Sequence, residues 1–306
     1  MASRISALAS HIEEAGQDIL SQVMVGENKT STGNWTSGLL AGQVAIITGS
    51  GQGIGEAAAK LFAKEGASVV VTDIDAKKSD AVCKAIIDAG GKALSVPGDV
   101  TDPAFPDRIV KATVAKFGKI NHLVNNAGYT FDGMVHKTTD KQWEMMIAVH
   151  NTAPFRLVRA AAEQFRSKSE EPRTIVMVSS TSGLHGNLGQ ANYATAKMGV
   201  LGFTKTMAKE WGQFGVRCNA IAFGWIDTRL TRAKEIGEAM VVDGQKISLG
   251  IPMGNAPPTA AQRSAGIPLR RPGSAEDAAG GILFLCSPLS AYVTGHCLEL
   301  TGGVGI

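Results

Sequence analysis

No run of roughly 18 consecutive apolar residues occurs in the 306-residue chain, so nothing in it reads as a membrane-spanning helix. A block of like charge is also missing. Lys and Arg number 30 against 27 Asp and Glu, a spread-out surplus of +3 that argues against nucleic acid as a partner. Cysteines are few: Cys83, Cys218, Cys286 and Cys297 lie far apart with no C-x-x-C pair, which reads as reduced thiols in a reducing compartment. The six histidines show no metal-ligand spacing, so no metal is expected. No long apolar h-region opens the chain, which argues against secretion and makes the sequons at Asn28 and Asn34 chance matches. The expected location is the cytoplasm. The mitochondrial matrix is the lesser option, because Glu13, Glu14 and Asp18 offset Arg4 where a presequence would be basic.

Glycine is plentiful, at 36 residues, too many for a simple helical bundle. Residues 1–40 differ from the rest. Ile5, Leu8, Ile12, Ile19 and Val23 recur at helical spacing, which predicts a short amphipathic helix followed by the connector GENKTSTGNWTSG. From Gln43 onward strands and helices alternate: QVAIIT, ASVVVTD, KALSVPGD, INHLVNN, TIVMVSS, VRCNAIAFG and GHCLELTGG read as strands with helical segments between most of them. One of those segments is a long helical region over residues 139–167. The pattern predicts an α/β fold, a Rossmann-type doubly wound parallel sheet of about seven strands with helices on both faces, over a single domain from 41 to 306.

The first strand runs into TGSGQGIG and then a helix. Glycines there allow a tight turn, a close backbone approach to a pyrophosphate and tight helix packing, while the helix amino terminus offers N–H groups to phosphate. Gly49, Ser50, Gln52, Gly53, Ile54 and Gly55 are the candidate contacts. Asp73 ends the second strand eighteen residues later, where a ribose 2′-hydroxyl would be held and a 2′-phosphate repelled. Ser50, Gly51 and Gln52 carry no charge to welcome that phosphate, so NAD(H) is expected in preference to NADP(H). The plainer alternative is that Asp73 only caps the next helix.

Further on, Tyr193 and Lys197 stand four residues apart in a helical run, sharing one face, and Ser180 ends a strand thirteen residues before the tyrosine. A phenol, an ammonium and a hydroxyl at a strand end suit proton transfer at a carbonyl or alcohol oxygen. Free tyrosine, with a pKa of ~10, needs help to lose its proton near neutrality, and a neighbouring ammonium together with an oxidised nicotinamide would favour the phenolate. Singly, each residue has a duller role as surface neighbour or cap.

TGSGQGIG, NNAG (Asn125–Gly128), Asn151, Ser180 and YATAK (Tyr193–Lys197) together resemble the short-chain dehydrogenase/reductases, over residues 41–306. The resemblance implies an NAD(P)-linked oxidoreductase with Asn151, Ser180, Tyr193 and Lys197 as catalytic residues. It implies adenine contacts from Asp99 and Val100, a cofactor groove lined by Asn126, Ala127 and Gly128, and nicotinamide contacts from Ile226 and Thr228. Tyr193 and Lys197 would also meet the cofactor, Lys197 at the nicotinamide ribose, and Asn151 would kink its helix and hold water. FGWIDT departs from the family's P-G-x-x-x-T by placing Phe223 where proline is usual. Family members pair through the helix after Asn151 and the one bearing Tyr193, which implies a homotetramer or homodimer with GVLGF (Gly199–Phe203) in the contact.

Within the family, GQANYATAKMGVLGFTKTMAKEW and VTGHCLELTGG look most like the 3-oxoacyl-[acyl-carrier-protein] reductases of fatty-acid synthesis. The expected substrate is a small carbonyl or alcohol compound, in this reading an acyl-thioester. An alcohol, polyol, steroid or hydroxyacyl-CoA dehydrogenase is the rival, and a non-catalytic NAD-binding scaffold or sensor the remote one. Residues 229–273 are long for a connection and are expected to form a substrate lid or a subunit contact, through Met240, Ile247, Leu249, Ile251 and Met253. Arg229, Arg232 and Lys234 are candidate contacts for an acyl carrier or coenzyme A phosphate. His185, between Ser180 and Tyr193, is a candidate pocket residue.

Overall fold

The computed structural model describes residues 38–167, 169–232, 237, 239–242, 245–248, 250, 262 and 264–305. The helix and connector expected over residues 1–40 therefore lie almost wholly outside the described residues, as do both sequons, Lys234, Leu249, Ile251 and Met253.

Seven short strands, rich in Val, Ile and Ala, form one parallel sheet: β1 (Val44–Thr48), β2 (Ser68–Thr72), β3 (Lys92–Ser95), β4 (His122–Asn125), β5 (Arg173–Ser180), β6 (Val216–Phe223) and β9 (Cys297–Leu300). Their order is β3-β2-β1-β4-β5-β6-β9. The chain winds outward from β1 in one direction and returns to continue from β4 in the other, so a crevice opens where the order reverses. Helices α1 (Gly53–Lys64), α2 (Ala76–Asp88), α3 (Phe105–Phe117), α4 (Asp140–Ile147), α5 (Ala153–Ala160), α6 (Thr181–His185), α7 (Ala191–Trp211) and α8 (Ala275–Cys286) connect or follow the strands.

Alternation along each strand divides the core. Ala45, Ile47, Val69, Val71, Val176 and Ile221 face Phe62 of α1 and Ile282 of α8. Ile46, Val70, Leu123, Ile175 and Met177 face Phe105 and Ile109 of α3, Leu157 of α5 and Val200 of α7. Each fully buried large side chain contributes roughly 1.5–3 kcal/mol by leaving water. Both faces are covered, which is why these strands read as near-continuous apolar runs.

Two regions differ from expectation. The long helical region over 139–167 is broken: α4 passes through a π turn, Ala148–Thr152, before α5, and a one-turn helix Ala162–Phe165 closes it. Pro154 supplies the reason, since it lacks an N–H and its ring would strike the carbonyl four residues back in a regular helix. Between β6 and α8, a hairpin of β7 (Ala239–Val242) and β8 (Gln245–Ser248) stands where no strand was expected. Its Ile247 is buried with Tyr129, Met145 and Val149, with Tyr193 and Leu230 packed alongside. Strand β6 runs on through Phe223, in register with Ser180 on one side and Leu300 on the other, so phenylalanine in place of proline leaves the local backbone regular.

No described helix is long and apolar enough to cross a membrane. The four cysteines are unpaired, and among the described residues no group of His, Cys, Asp or Glu could hold a metal.

Candidate active site

At the carboxyl ends of the strands, over the crevice between β1 and β4, lies a cavity of about 940 Å³. Its floor at one end is the glycine turn. Gly49 is left-handed (φ 64°), and a Cβ there would lie 2.8 Å from the Ala127 backbone; a Cβ on Gly55 would lie 2.2 Å from the Gly49 carbonyl oxygen. Neither position has room for a Cβ. Gly53 (φ 59°), at the start of α1, has open space in front of it, with Thr228 the nearest neighbour at 4.0 Å. Bare backbone N–H groups at a helix amino terminus facing a cavity suit the pyrophosphate of a dinucleotide. Asn126 fastens this turn to β4: its Nδ2 donates to the carbonyls of Thr48 (2.9 Å) and Gly49 (3.2 Å). The Thr48 hydroxyl in turn accepts from the N–H groups of Asn126 and Ala127, each at 3.0 Å.

Gln52, Ile54, Asp73, Asp99, Val100, Gly128, Ile226 and Thr228 line the same cavity, as their sequence positions suggested. Ser50 does not. It is fully buried, donating to the Ile47 carbonyl (2.7 Å) and accepting from the Thr72 N–H (3.0 Å), so its side chain braces the turn and meets no ligand. Asp73 is a brace as well, its carboxylate accepting from the Gly51 N–H (3.2 Å) and the Asp75 N–H (3.1 Å). Helix α2 is capped by Asp75 instead. Beside the turn, Lys78 Nζ donates to Gln52 Oε1 at 2.8 Å, a cation 26 residues from the loop that sequence proximity could not reveal.

At the other end, β5 delivers Ser180 and α7 delivers Tyr193 and Lys197. The Ser180 hydroxyl accepts from the Ser182 N–H (3.1 Å), capping α6, and is hydrogen-bonded to the Tyr193 phenol. Lys197 is 4% exposed; its Nζ lies 5.6 Å from the centre of the Tyr193 ring and donates to the Val178 carbonyl (2.7 Å). Burial pulls the Lys197 ammonium down to about 7. Burial also pushes the Tyr193 phenol up to about 12, against the Ser180 hydrogen bond, with Asp132 adding to the rise. Burial thus favours the protonated phenol, the form a proton donor needs.

Asn151 sits in the π turn, outside the cavity wall. Its Nδ2 donates to the Ala196 carbonyl at 2.9 Å, tying the turn to α7 just before Lys197. Its Oδ1 is buried without a hydrogen-bond partner among the described residues. Such an acceptor normally holds a water.

The cavity is also lined by His150, Tyr129 and Asp132, which no motif contains, by Gln190 just before the Tyr193 helix, and by Leu230 at the start of the long segment over 229–273. His150 is 2% exposed and stands edge to face with Tyr193, ring centres 5.2 Å apart. Gln190 donates to Asp132 at 3.0 Å near the exposed Leu188. Arg229 and Arg232 also line the cavity. His185 does not; its Nε2 lies 3.8 Å from Glu299 at the surface.

A family model described as short chain dehydrogenase matches residues 43–239, more than half of the chain. The chain belongs to the short-chain dehydrogenase/reductases. A second model, described as enoyl-(acyl carrier protein) reductase, matches residues 246–305. Among curated members, the 3-oxoacyl-[acyl-carrier-protein] reductase FabG of Thermotoga maritima is 37% identical, covering 87% of this chain and 99% of its own length. That of Synechocystis is 38% identical (87% and 98%), and FabG of Escherichia coli is 34% identical (86% and 97%). As a family member this protein is an oxidoreductase.

The FabG relatives are NADPH-dependent reductases, which overturns the preference for NAD(H) over NADP(H) inferred from Asp73. In the structure the Asp73 carboxylate accepts from two backbone N–H groups, and Lys78, ion-paired with Asp75, donates to Gln52 of the loop, a cation that the loop itself lacks.

Proposed function

We propose that this short-chain dehydrogenase/reductase is a 3-oxoacyl-thioester reductase that takes NADPH as its donor, as its relatives do. The observation that carries the reading is the group of half-buried Ser180 and Tyr193 with buried Lys197 at one end of a cavity whose other end is a turn with no room for a Cβ at Gly49 or Gly55. Identity of 34–38% to 3-oxoacyl-[acyl-carrier-protein] reductases over nearly their whole length supports the substrate class.

Gly49, Gln52, Gly53, Ile54 and Gly55 would hold the pyrophosphate; Asp99, Val100, Asn126, Ala127 and Gly128 would line the groove; Ile226 and Thr228 would meet the nicotinamide. When bound, the dinucleotide supplies the hydride. The Ser180 hydroxyl donates to the substrate's 3-oxo oxygen and fixes the carbonyl in reach. Tyr193 gives its phenolic proton to that oxygen as the alkoxide forms, and the charge left on the phenol is stabilised by the Lys197 ammonium nearby. Asn151 holds the water through which the proton is replaced. Residues 41–306 act as one catalytic domain, and 229–273 act as a lid, with Ile247 and Leu230 closing over the acyl chain. Arg229 and Arg232 meet the carrier's phosphate at the mouth. A homotetramer forms through α5 and α7, whose exposed Phe155 (45%) and Met198 (51%) otherwise face water.

The test is NADPH oxidation with an acetoacetyl thioester, beside NADH and beside simple ketones, polyols and steroids. Turnover with the thioester and NADPH, lost at least ~10³-fold in Tyr193→Phe with cofactor binding retained, is the expected result. Near wild-type turnover in that variant, or turnover confined to the other substrates, would refute the reading.

A further inference from the structure

His150 belongs to none of the motifs, yet the structure gives it an uncommon position. The π turn Ala148–Thr152 sends its ring inward to stand edge to face against Tyr193, at 5.2 Å between centres and 84° between planes. Its Nε2 lies 2.9 Å from the Tyr129 carbonyl oxygen. A carbonyl only accepts, so Nε2 carries the proton and Nδ1 bears a lone pair. That Nδ1 is buried with no partner among the described residues. Burial and the neighbouring Lys197 charge both hold the imidazole neutral, well below its ordinary range. Gly128 makes the socket: a Cβ there would lie 2.3 Å from His150 Cε1. The ring is therefore anchored at one nitrogen and shaped into place by a missing side chain, and the group it presses on is the phenol.

We propose that His150 is a positioning residue for Tyr193, its imidazole fixing the phenol ring while the Tyr129 carbonyl and the Gly128 socket fix the imidazole. The function of the contact is angular. A phenol free to rock moves its hydroxyl by a large fraction of an ångström, and displacement of about 1 Å can cost ~10²-fold in rate. This inference rests on Tyr193 being the proton donor, and the Tyr193→Phe variant tests that separately: turnover surviving in it sinks the donor reading whatever His150 does.

The experiment is a double-mutant cycle on the full chain, assayed with NADPH and an acetoacetyl thioester. His150→Gln keeps an amide donor for the Tyr129 carbonyl and removes the ring. It should lower kcat on the order of 10–100-fold, with the cofactor Kd and substrate KM within about threefold. The solvent deuterium isotope effect on kcat should rise, because a misplaced phenol slows the proton step. Gly128→Ala should lower kcat similarly with His150 present, and cost little more in a His150→Ala background, where its methyl has room. Unchanged kcat in His150→Gln, a loss wholly in KM or cofactor Kd, or a Gly128→Ala cost equal in both backgrounds would overturn the proposal. Should the glutamine variant fail to fold, His150→Asn is read by the same measures.

Discussion

The two ends of the central sheet are built from similar residues to opposite purposes. At the amino end, Asn121 accepts from the Val44 N–H and donates to Glu171 and the Pro172 carbonyl, and His122 engages Thr174 through Nδ1 and Gln43 through Nε2. Arg173 donates to the carbonyls of Phe165, Ser167 and Phe214, and Arg217 to those of Val293 and Ser287. At the carboxyl end, buried acceptors are left over: Thr72 Oγ1, His150 Nδ1 and Asn151 Oδ1 have no partner among the described residues. Arg173 Nε is the counterexample at the amino end, though that guanidinium is satisfied through its other nitrogens. Two buried histidines make the contrast sharp. His122 has both ring nitrogens engaged and does not line the active-site cavity; His150 has one, and touches the phenol. Saturated polar groups hold a fold rigid, whereas orphaned ones mark where something else is to be bound.

The largest effect that would test this division is at Ser180. Ser180→Ala removes the hydroxyl that meets both the phenol and, in the proposed reaction, the substrate oxygen, so kcat should fall about 10²–10³-fold. Stability should fall only by what an N-cap supplies, about 1 kcal/mol, because the same hydroxyl caps α6. Activity under saturating thioester, set beside a thermal melt, reads both. A large stability loss with little change in rate would place Ser180 with the amino-end residues and break the contrast.

Much of this was legible beforehand, for identifiable reasons. The strands are short runs buried on both faces, so composition alone marks them, and the glycine turn is legible because its backbone tolerates no Cβ. Ser180, Tyr193 and Lys197 were legible because spacing on one helix and a strand end brings them together. What was not legible depends on contacts between segments far apart in sequence. His150 becomes meaningful only when residues 128, 129 and 193 converge on it. Asp73 was misread because its two backbone partners, at Gly51 and Asp75, are products of the fold. The π turn has a signal in the sequence, Pro154 inside a helical pattern. The β7–β8 hairpin has little signal: MVVDGQKI holds an Asp-Gly pair, which favours a turn, between short apolar runs in a long segment otherwise without strand alternation.

A smaller effect is expected at the amino end. His122 is wholly buried and its pKa is lowered from 6.5 to about 3, because burial penalises the charged ring and Arg217 adds to that penalty. The folded state thus binds a proton less readily than the unfolded chain. The stability this group contributes is complete above pH ~6.5 and declines as pH falls towards 3. Between pH 6.5 and 4 the loss should approach about 3 kcal/mol. His122→Gln, which can still reach polar partners but cannot titrate, should flatten the melting temperature across that interval while leaving kcat within about twofold. A pH profile of stability identical to wild type would mean His122 is not the group that titrates, and would weaken the picture of a sealed amino end.

The smallest effect sharpens the comparison from the other side, at a residue of the carboxyl end that works as the amino end does. The Thr48 hydroxyl accepts from two backbone N–H groups and donates to the Val124 carbonyl (3.4 Å), yet it does not line the cavity. Thr48→Val preserves shape and strand propensity and leaves the Asn126 and Ala127 N–H groups without their acceptor. The expected cost is about 1–2 kcal/mol of stability, since the Asn126 side chain still grips the Thr48 and Gly49 carbonyls. Cofactor Kd should weaken a few-fold as the turn loosens, with kcat at saturating NADPH unchanged within about threefold. Denaturant titration and fluorescence quenching by the dinucleotide measure the two. A loss in kcat with stability intact would mean that Thr48 acts on the chemistry directly, and that the boundary between the two kinds of polar group runs one residue deeper into the sheet.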